Sequence, residues 1–278
     1  MRSLSIPSFV TETLDIRNKK SKGTDIIYQS YQNILKDKES SIDVSIIIPA
    51  YNEEKNILEV LFSITQNRSS KSIEIIVVDN NSTDNTNALV KATGVRCIEE
   101  KIQSITAARN AGLANAKGTY ILNADADSIY PPDWVEQMVN PLINNNKVAV
   151  VYGRYSFIPD VNISRISYFL YESIGDIKRW IDGILKDEAI KVFGCNSGFR
   201  REQGIEVEGY NHPPGTNEDG WLALKLRNHK FGKLHYVNTS TVWTSDRRLN
   251  FDKGFIKVII TRIQQFFSRK PKQQRIDL

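Results

Sequence analysis

A chain of 278 residues, 40% hydrophobic and 25% charged, is long enough to bury a sizeable core and is expected to form one large domain with appendages. Its longest apolar runs, VSIII and VAVVY, fall far short of the roughly 18 residues that a membrane-spanning helix needs. The first residues lack the apolar core of a signal peptide, so the expectation is a cytoplasmic protein whose two distant cysteines, Cys97 and Cys195, stay reduced. The net charge of +5 is localised, because residues 245–278 carry nine Lys or Arg against three Asp or Glu.

Residues 1–42 are polar and weakly patterned, with a helix expected over DIIYQSYQNILKD (25–37), outside the main domain. From Asp43 the texture changes. VSIIIP (44–49), IEIIVVD (73–79), VRCIE (95–99) and TYILNAD (119–125) are short β-branched runs of the kind that form buried parallel strands. Between them EEKNILEVLFSITQ, DNTNALVKAT and SITAARNAGLANA repeat their apolar residues with helical period. Beyond Asp133 the alternation fades into a helix (DWVEQMVNPLIN), a strand (KVAVVYGRYSF), an aromatic helical segment around ISYFLYESIGDIKRW, a glycine turn (GCNSGF) and a helix opened by NEDG. No linker marks a second independent domain.

Alternating strands and helices predict an α/β fold, a mostly parallel sheet flanked by helices that binds ligands at the carboxyl ends of its strands. Three polar clusters, PAYNEE, DNNSTDNT and NADADS, fall at three such ends. Each alone has an ordinary explanation as a turn, or as a cap through Ser82 or Thr83. Their convergence on one sheet edge points instead to a site.

In NADADS, Asp125 and Asp127 repel each other unless a cation lies nearby. Hard carboxylate oxygens suit Mg²⁺ or Mn²⁺, which take one or two carboxylates and complete their shell with substrate phosphates. That chemistry predicts a nucleotide-diphosphate substrate. A solvated acidic turn is the competing reading of the pair taken alone.

VSIIIPAYNEE, IIVVDNNSTDNT, AARNAGLANAKGTYILNADADS and NEDGWLALKL, in this order and approximate spacing, resemble the family-2 glycosyltransferases of GT-A (Rossmann-like) fold. The resemblance covers about residues 43–245 and implies a nucleotide-binding half over 43–128 and an acceptor half over 129–245. Residues 1–42 and 246–278 then become N- and C-terminal extensions. It further implies that Pro49, Tyr51, Glu53, Asp79 and Asn80 hold base and ribose and that Arg109 braces the nucleotide site. Asp125 lies at the ribose, followed by Ala126, and Asp127 is the ligand of Mn²⁺ or Mg²⁺. This chain departs from the family at Asn80, where a second acid is common, and at Gln103-Ser104, where a glycine often precedes the arginine segment.

Transfer to a sugar hydroxyl also needs a group to accept its proton. Glu218-Asp219 matches the family's second acidic motif, which makes Asp219 the expected base and the expected reaction an inverting one. The ordinary reading of Asn217, Glu218 and Asp219 is a favourable helix N-terminus. Asn196 and Ser197 in GCNSGFRR are acceptor-side candidates, although the two glycines there also make a tight turn. Arg247 or Arg248 in TSDRR suits the diphosphate, since guanidinium matches phosphate oxygens; a solvated basic face is the alternative.

In the basic tail, Ile256, Ile259, Ile260, Ile263 and Phe267 fall on one helical face among Lys253, Lys257, Arg262, Arg269 and Lys270. That make-up suits an anionic membrane surface and a glycan or lipid-linked acceptor. Packing on the catalytic domain or a dimer contact fits the same pattern. Nucleic acid is disfavoured because no recognition motif accompanies the charge. The whole reads as a metal-dependent transferase with a nucleotide-sugar donor, UDP-linked by default, in surface-glycan synthesis. A sugar nucleotidyltransferase is the alternative enzyme, but PAYNEE stands where its glycine-rich phosphate loop belongs; an inactive nucleotide-binding scaffold is the third reading.

Overall fold

The computed structural model describes residues 2–16, 21–36, 41–159 and 163–247. Its β-branched runs form β1 (Val44–Ala50), β2 (Ile73–Asp79), β3 (Arg96–Glu99) and β4 (Tyr120–Asn123), which pair in parallel in the order β3-β2-β1-β4. Every residue of β1 and β2 is buried, which is why both read as unbroken apolar runs. The period-2 pleat divides them between two cores. Ile46, Ile48, Ile75 and Val77 enter one cluster, while Ile47, Ile76 and Val78 enter the other on the opposite face.

The helices cover both faces. Helices α2 (Ser21–Lys36), α3 (Ile57–Thr65) and α6 (Trp134–Asn144) pack on the first core, and α5 (Ile105–Asn115) and α9 (Glu218–Asn228) on the second. Gly112 lets α5 approach closely, since a Cβ there would sit 2.4 Å from Ile47. The sequence pattern sets α2 outside the main domain, yet Ile27 and Tyr31 are buried within the main core cluster. Their spacing, one turn apart, supplies the apolar face that meets α3. The preceding helix α1 (Ser8–Leu14) places Val10 against Ile129 and Trp243.

The sheet continues beyond β4 as β7-β6-β8-β5, with β6 (Val148–Phe157) and β8 (Lys233–Thr244) parallel to each other. The segment expected as a glycine turn includes strand β7 (Ser197–Arg200), inserted antiparallel between β4 and β6. Four residues are too few to carry a strand period, and Gly198 is there because a Cβ would meet Leu122 at 2.5 Å. Between Tyr152↔Tyr236 and Arg154↔Thr241 the register of β6 and β8 slips, so residues 237–240 bulge opposite Gly153. Strand β5 (Ser128–Ile129) closes on the end of β8, opposite Trp243 and Thr244.

The chain's second half also holds the amphipathic α7 (Arg165–Leu185) and the short α8 (Arg201–Glu206). No helix among the described residues is long and apolar enough to cross a membrane. Arg248 and the remainder of the basic tail lie outside the described residues.

Candidate active site

The carboxyl ends of β1, β2 and β4 lie side by side, and the loops that leave them hold one another. Asn52 and Asn81 adopt left-handed backbone (φ 54° and 62°), a conformation asparagine tolerates. Asn52 donates its backbone N–H to Ser82 Oγ at 3.0 Å and accepts from Thr83 N at 2.8 Å. Ser82 and Thr83 therefore tie the first loop to the second, and α4 (Thr86–Ala92) starts at Asn85 without a side-chain cap. Glu53 N donates to Thr86 Oγ1 at 2.8 Å, which fixes the backbone of the first acidic residue.

Asp79 ends β2 and accepts from Ser82 N (3.2 Å) and Asn87 Nδ2 (2.9 Å). Asn80, the departure from the paired-acid pattern, turns its amide to Glu100 O (3.1 Å) and Ile102 O (2.6 Å), bracing the loop after β3. Pro49 is buried within β1, and Tyr51 stands exposed just past its end.

In the turn after β4 the Ala126 methyl enters the core, while the Asp125 side chain stays partly exposed and that of Asp127 is nearly buried. Tyr130 sets the turn: Asp125 N donates to its hydroxyl at 2.8 Å, and the hydroxyl donates to Cys195 O at 3.1 Å. The two aspartates then find different cations. Asp125 Oδ1 accepts from Arg109 Nη2 at 3.1 Å, whereas Asp127 Oδ2 lies 3.0 Å from Arg247 Nη2.

Arg109, 2% exposed on α5, is the centre of the first pairing. Its Nε lies 3.4 Å from Asp219 Oδ1, and its guanidinium sits 5.7 Å from the centroid of the Tyr210 ring. Asp219 comes from the first turn of α9, whose N-cap Asn217 accepts from Gly220 N at 2.9 Å. The capping explanation of NEDG and the inward carboxylate are thus both realised, by different residues. Glu218, the neighbouring acid of the first turn, contributes negative charge near Asp219.

Burial pushes the Asp219 carboxyl up to about 7; Arg109 opposes the rise, and Glu218 and Asp125 add to it. Arg109 Nε and Asp219 Oδ1 face each other as an ion pair at 3.4 Å without forming a hydrogen bond, and Arg109 Nη1 is buried with no hydrogen-bond partner among the described residues. Unsatisfied charged atoms of this kind are costly in a finished core and ordinary in a site that completes itself with a ligand.

Arg247 joins the second pairing. Its guanidinium grips both oxygens of Glu53, with Nη1–Oε2 at 2.9 Å, while Asn56 Nδ2 donates to the same Oε2 at 2.8 Å. One cationic group therefore spans Glu53 from the β1 loop and Asp127 from the β4 loop.

Asn196 and Ser197 are committed elsewhere. The Asn196 side chain fills the bulge between β6 and β8, donating to Arg154 O and Ser240 O and accepting from Trp134 Nε1 and Ser240 Oγ. Ser197 Oγ accepts from Asn123 Nδ2 at 3.1 Å, one strand away from Asp125. Both are structural pins in this geometry, which gives no support to an acceptor role for Asn196.

Several residues have no sequence signal. Tyr210 donates to Asn123 Oδ1 at 2.5 Å and lies beside Arg109. Gly194 is required because a Cβ there would fall 1.9 Å from Arg109 Nη2 and 2.6 Å from Asp219 Oδ2. The glycine itself was visible in GCNSGF, but the arginine it makes room for was not.

Fold and site together define a GT-A domain: a mostly parallel α/β sheet with an acidic pair after the fourth strand, bridged through a buried arginine to an acid at a distant helix start. The chain belongs to glycosyl transferase family 2, whose family profile matches residues 45–203. It is 35% identical over 263 residues to an uncharacterized glycosyltransferase of Rickettsia bellii, covering 83% of this chain and 38% of that protein. The chain spans 28% to 47% of the length of four curated relatives it matches. Among solved structures, the mannosyltransferase PcManGT from Pyrobaculum calidifontis, in complex with GDP-Man and Mn²⁺, shares the fold with a TM-score of 0.56 at 18% identity, covering 95% of this chain and 78% of that one. TarS 1-349 of S. aureus, in complex with UDP-GlcNAc, does so with a TM-score of 0.55 at 17% identity, covering 83% and 68%.

Proposed function

We propose that this protein is an inverting glycosyltransferase that moves a sugar from a nucleotide-diphosphate sugar to a hydroxyl acceptor, with Asp219 as general base. The observation that carries the reading is the buried Asp219 carboxylate, 3.4 Å from Arg109 and linked through it to Asp125. A carboxyl raised to about 7 is a stronger base than an ordinary aspartate and is poised near neutral pH, where about half of it is ionised. The acceptor hydroxyl gives its proton to Asp219 as its oxygen bonds the anomeric carbon. The bond from that carbon to the diphosphate breaks on the opposite side, and the nucleoside diphosphate leaves with the electron pair. A single direct displacement inverts the anomeric centre. Arg109 holds the base in place and limits how far burial raises it.

Glu53 and Asp127 are hard oxygen donors that already share a cation, the Arg247 guanidinium, so the residues present fit Mn²⁺ or Mg²⁺ with Asp127 as ligand. When bound, the metal offsets the charge that develops on the departing diphosphate. Among the described residues, Arg247 is placed to meet a diphosphate oxygen once it leaves Asp127. A uridine diphosphate sugar is the favoured donor, as in the TarS complex, and the GDP-Man of PcManGT makes guanosine diphosphate the main competitor. A hydroxyl of a glycan or lipid-linked glycan, in surface-polysaccharide synthesis, is the proposed acceptor.

A thermal-shift screen of nucleoside diphosphates and their sugars, with and without Mn²⁺, tests the donor. A rise in melting temperature with one base, enlarged by Mn²⁺, is expected. No shift with any nucleotide would defeat the reading.

A further inference from the structure

Tyr210 is fully buried, yet it belongs to no helix or strand. The segment that carries it, residues 207–212, follows α8 and precedes the acids of α9. Its backbone is unfavourable by itself, because Glu208 and Gly209 both lie at positive φ (60° and 56°), a region that glutamate seldom adopts. Side chains from two helices hold it there. Lys225 Nζ on α9 donates to Val207 O and Gly209 O at 2.6 Å each and to Asn211 O at 3.0 Å. On α5, Asn110 accepts from Tyr210 N at 2.8 Å and donates to Asn211 Oδ1 at 2.9 Å, and Thr106 Oγ1 lies 3.0 Å from His212 Nε2.

What this scaffold delivers is one aromatic ring, fixed at both ends. Beyond the backbone pin at Asn110, the Tyr210 hydroxyl donates to Asn123 Oδ1 at the end of β4, and Asn123 Nδ2 donates in turn to Ser197 Oγ on β7. The ring centroid then lies 5.7 Å from the Arg109 guanidinium, inside the roughly 6 Å over which an aromatic face attracts a cation. Arg109 needs such a contact. Its Nη2 donates to Asp125 and its Nε meets Asp219 only as an ion pair, while Nη1 has no hydrogen-bond partner among the described residues. One hydrogen bond and one ion pair leave the tilt of a planar group open, and a ring held against it closes that freedom.

We propose that Tyr210 is a positioning residue whose ring face holds the Arg109 guanidinium in the orientation that joins Asp125 to Asp219, and that residues 207–212 are shaped to hold that ring. The consequence for turnover rests on the reading of Asp219 as the base. The contact itself does not.

Ring electronics test it without changing shape. Tyr210→Phe is compared with the same chain carrying pentafluorophenylalanine at position 210, whose ring has nearly the same outline but a face that no longer attracts a cation. Exchange of the Arg109 Nε–H is followed by NMR in arginine-labelled protein, its signal being the one missing from Arg109→Lys. The fluorinated ring is expected to speed that exchange roughly ten-fold and to lower kcat by a similar factor. The indole N–H of Trp134, bonded to Asn196 and buried on the other face of the sheet, is expected to exchange equally in both proteins, which separates a local release from a loosened fold. Equal exchange at Arg109 would overturn the proposal, and so would faster exchange with unchanged kcat. If the wild-type chain turned over no nucleotide sugar, the reading of Asp219 as base would fall, and the exchange comparison would still decide whether the ring holds Arg109.

Discussion

Arg247 Nη2 lies 3.0 Å from Asp127 Oδ2 across 120 residues of sequence, so the end of β8 supplies the counter-charge for the second aspartate of the acidic pair. The same guanidinium neutralises Glu53, whose side chain is 7% exposed. A protein cation and a metal ion cannot both hold Asp127 in full.

Arg247→Ala removes that competitor. Manganese titration without donor is expected to show binding tighter by roughly ten-fold, about 1.4 kcal/mol. The donor KM is expected to rise, since a diphosphate loses its guanidinium partner. Unchanged Mn²⁺ affinity would show that Arg247 does not guard the ligand.

Asp219→Asn keeps the shape of the site and removes the base. Turnover is expected to fall by roughly 10² to 10⁴-fold, the usual worth of a positioned base, while the nucleotide-dependent thermal shift persists. Turnover at the wild-type level would reassign the base.

The pH profile follows from the same carboxyl. A base must be ionised, so kcat/KM is expected to rise as pH increases through about 7 and to fall below it. Glu218→Gln removes a negative charge that raises Asp219, so the acidic limb is expected to move to lower pH. The linkage to stability has the opposite sense. A folded pKa above the ordinary 3.8 contributes stability that is complete below that value and is lost as pH rises through about 7.

Gly194→Ala drives a methyl into the Arg109–Asp219 pair. Overpacking of this kind costs about 1 to 3 kcal/mol, and the displaced guanidinium uncouples Asp219 from Asp125. Both a lower melting temperature and a loss of turnover are expected. Loss of stability alone, with full turnover per folded molecule, would show that the pairing is dispensable.

Arg2→Ala tests the N-terminal extension. Arg2 donates to Glu172 (2.9 Å) and Asp176 on α7 and to Ser156 on β6, and among the described residues Arg165 remains to neutralise the buried Glu172. A loss of about 2 kcal/mol is expected in denaturant unfolding, less than for a fully orphaned charge.

Most of the parallel half was legible because period and composition act locally. The strands beginning at Val44 and Ile73 appear where their β-branched runs lie, and α5 follows the SITAARNAGLANA pattern. The second half was harder. Strand β7 is short and glycine-containing, and it exists only because β4 and β6 leave a gap of one strand for it. Asn196, set beside two glycines in a polar run, has the sequence of a loop residue; its four hydrogen bonds depend on a bulge between β6 and β8 that no local pattern encodes.

The sequence by itself determined the order of strands and helices in the parallel half and the placing of acids at strand ends and a helix start, since those depend on neighbours along the chain. Only the tertiary structure decided which cation each acid meets. Arg109 is sixteen residues before Asp125 and 110 before Asp219, and Arg247 is 194 after Glu53; charges so far apart in the chain pair because sheet order brings β4, α9 and the end of β8 to one edge. Burial at that edge, a property of the packed molecule alone, is what raises Asp219.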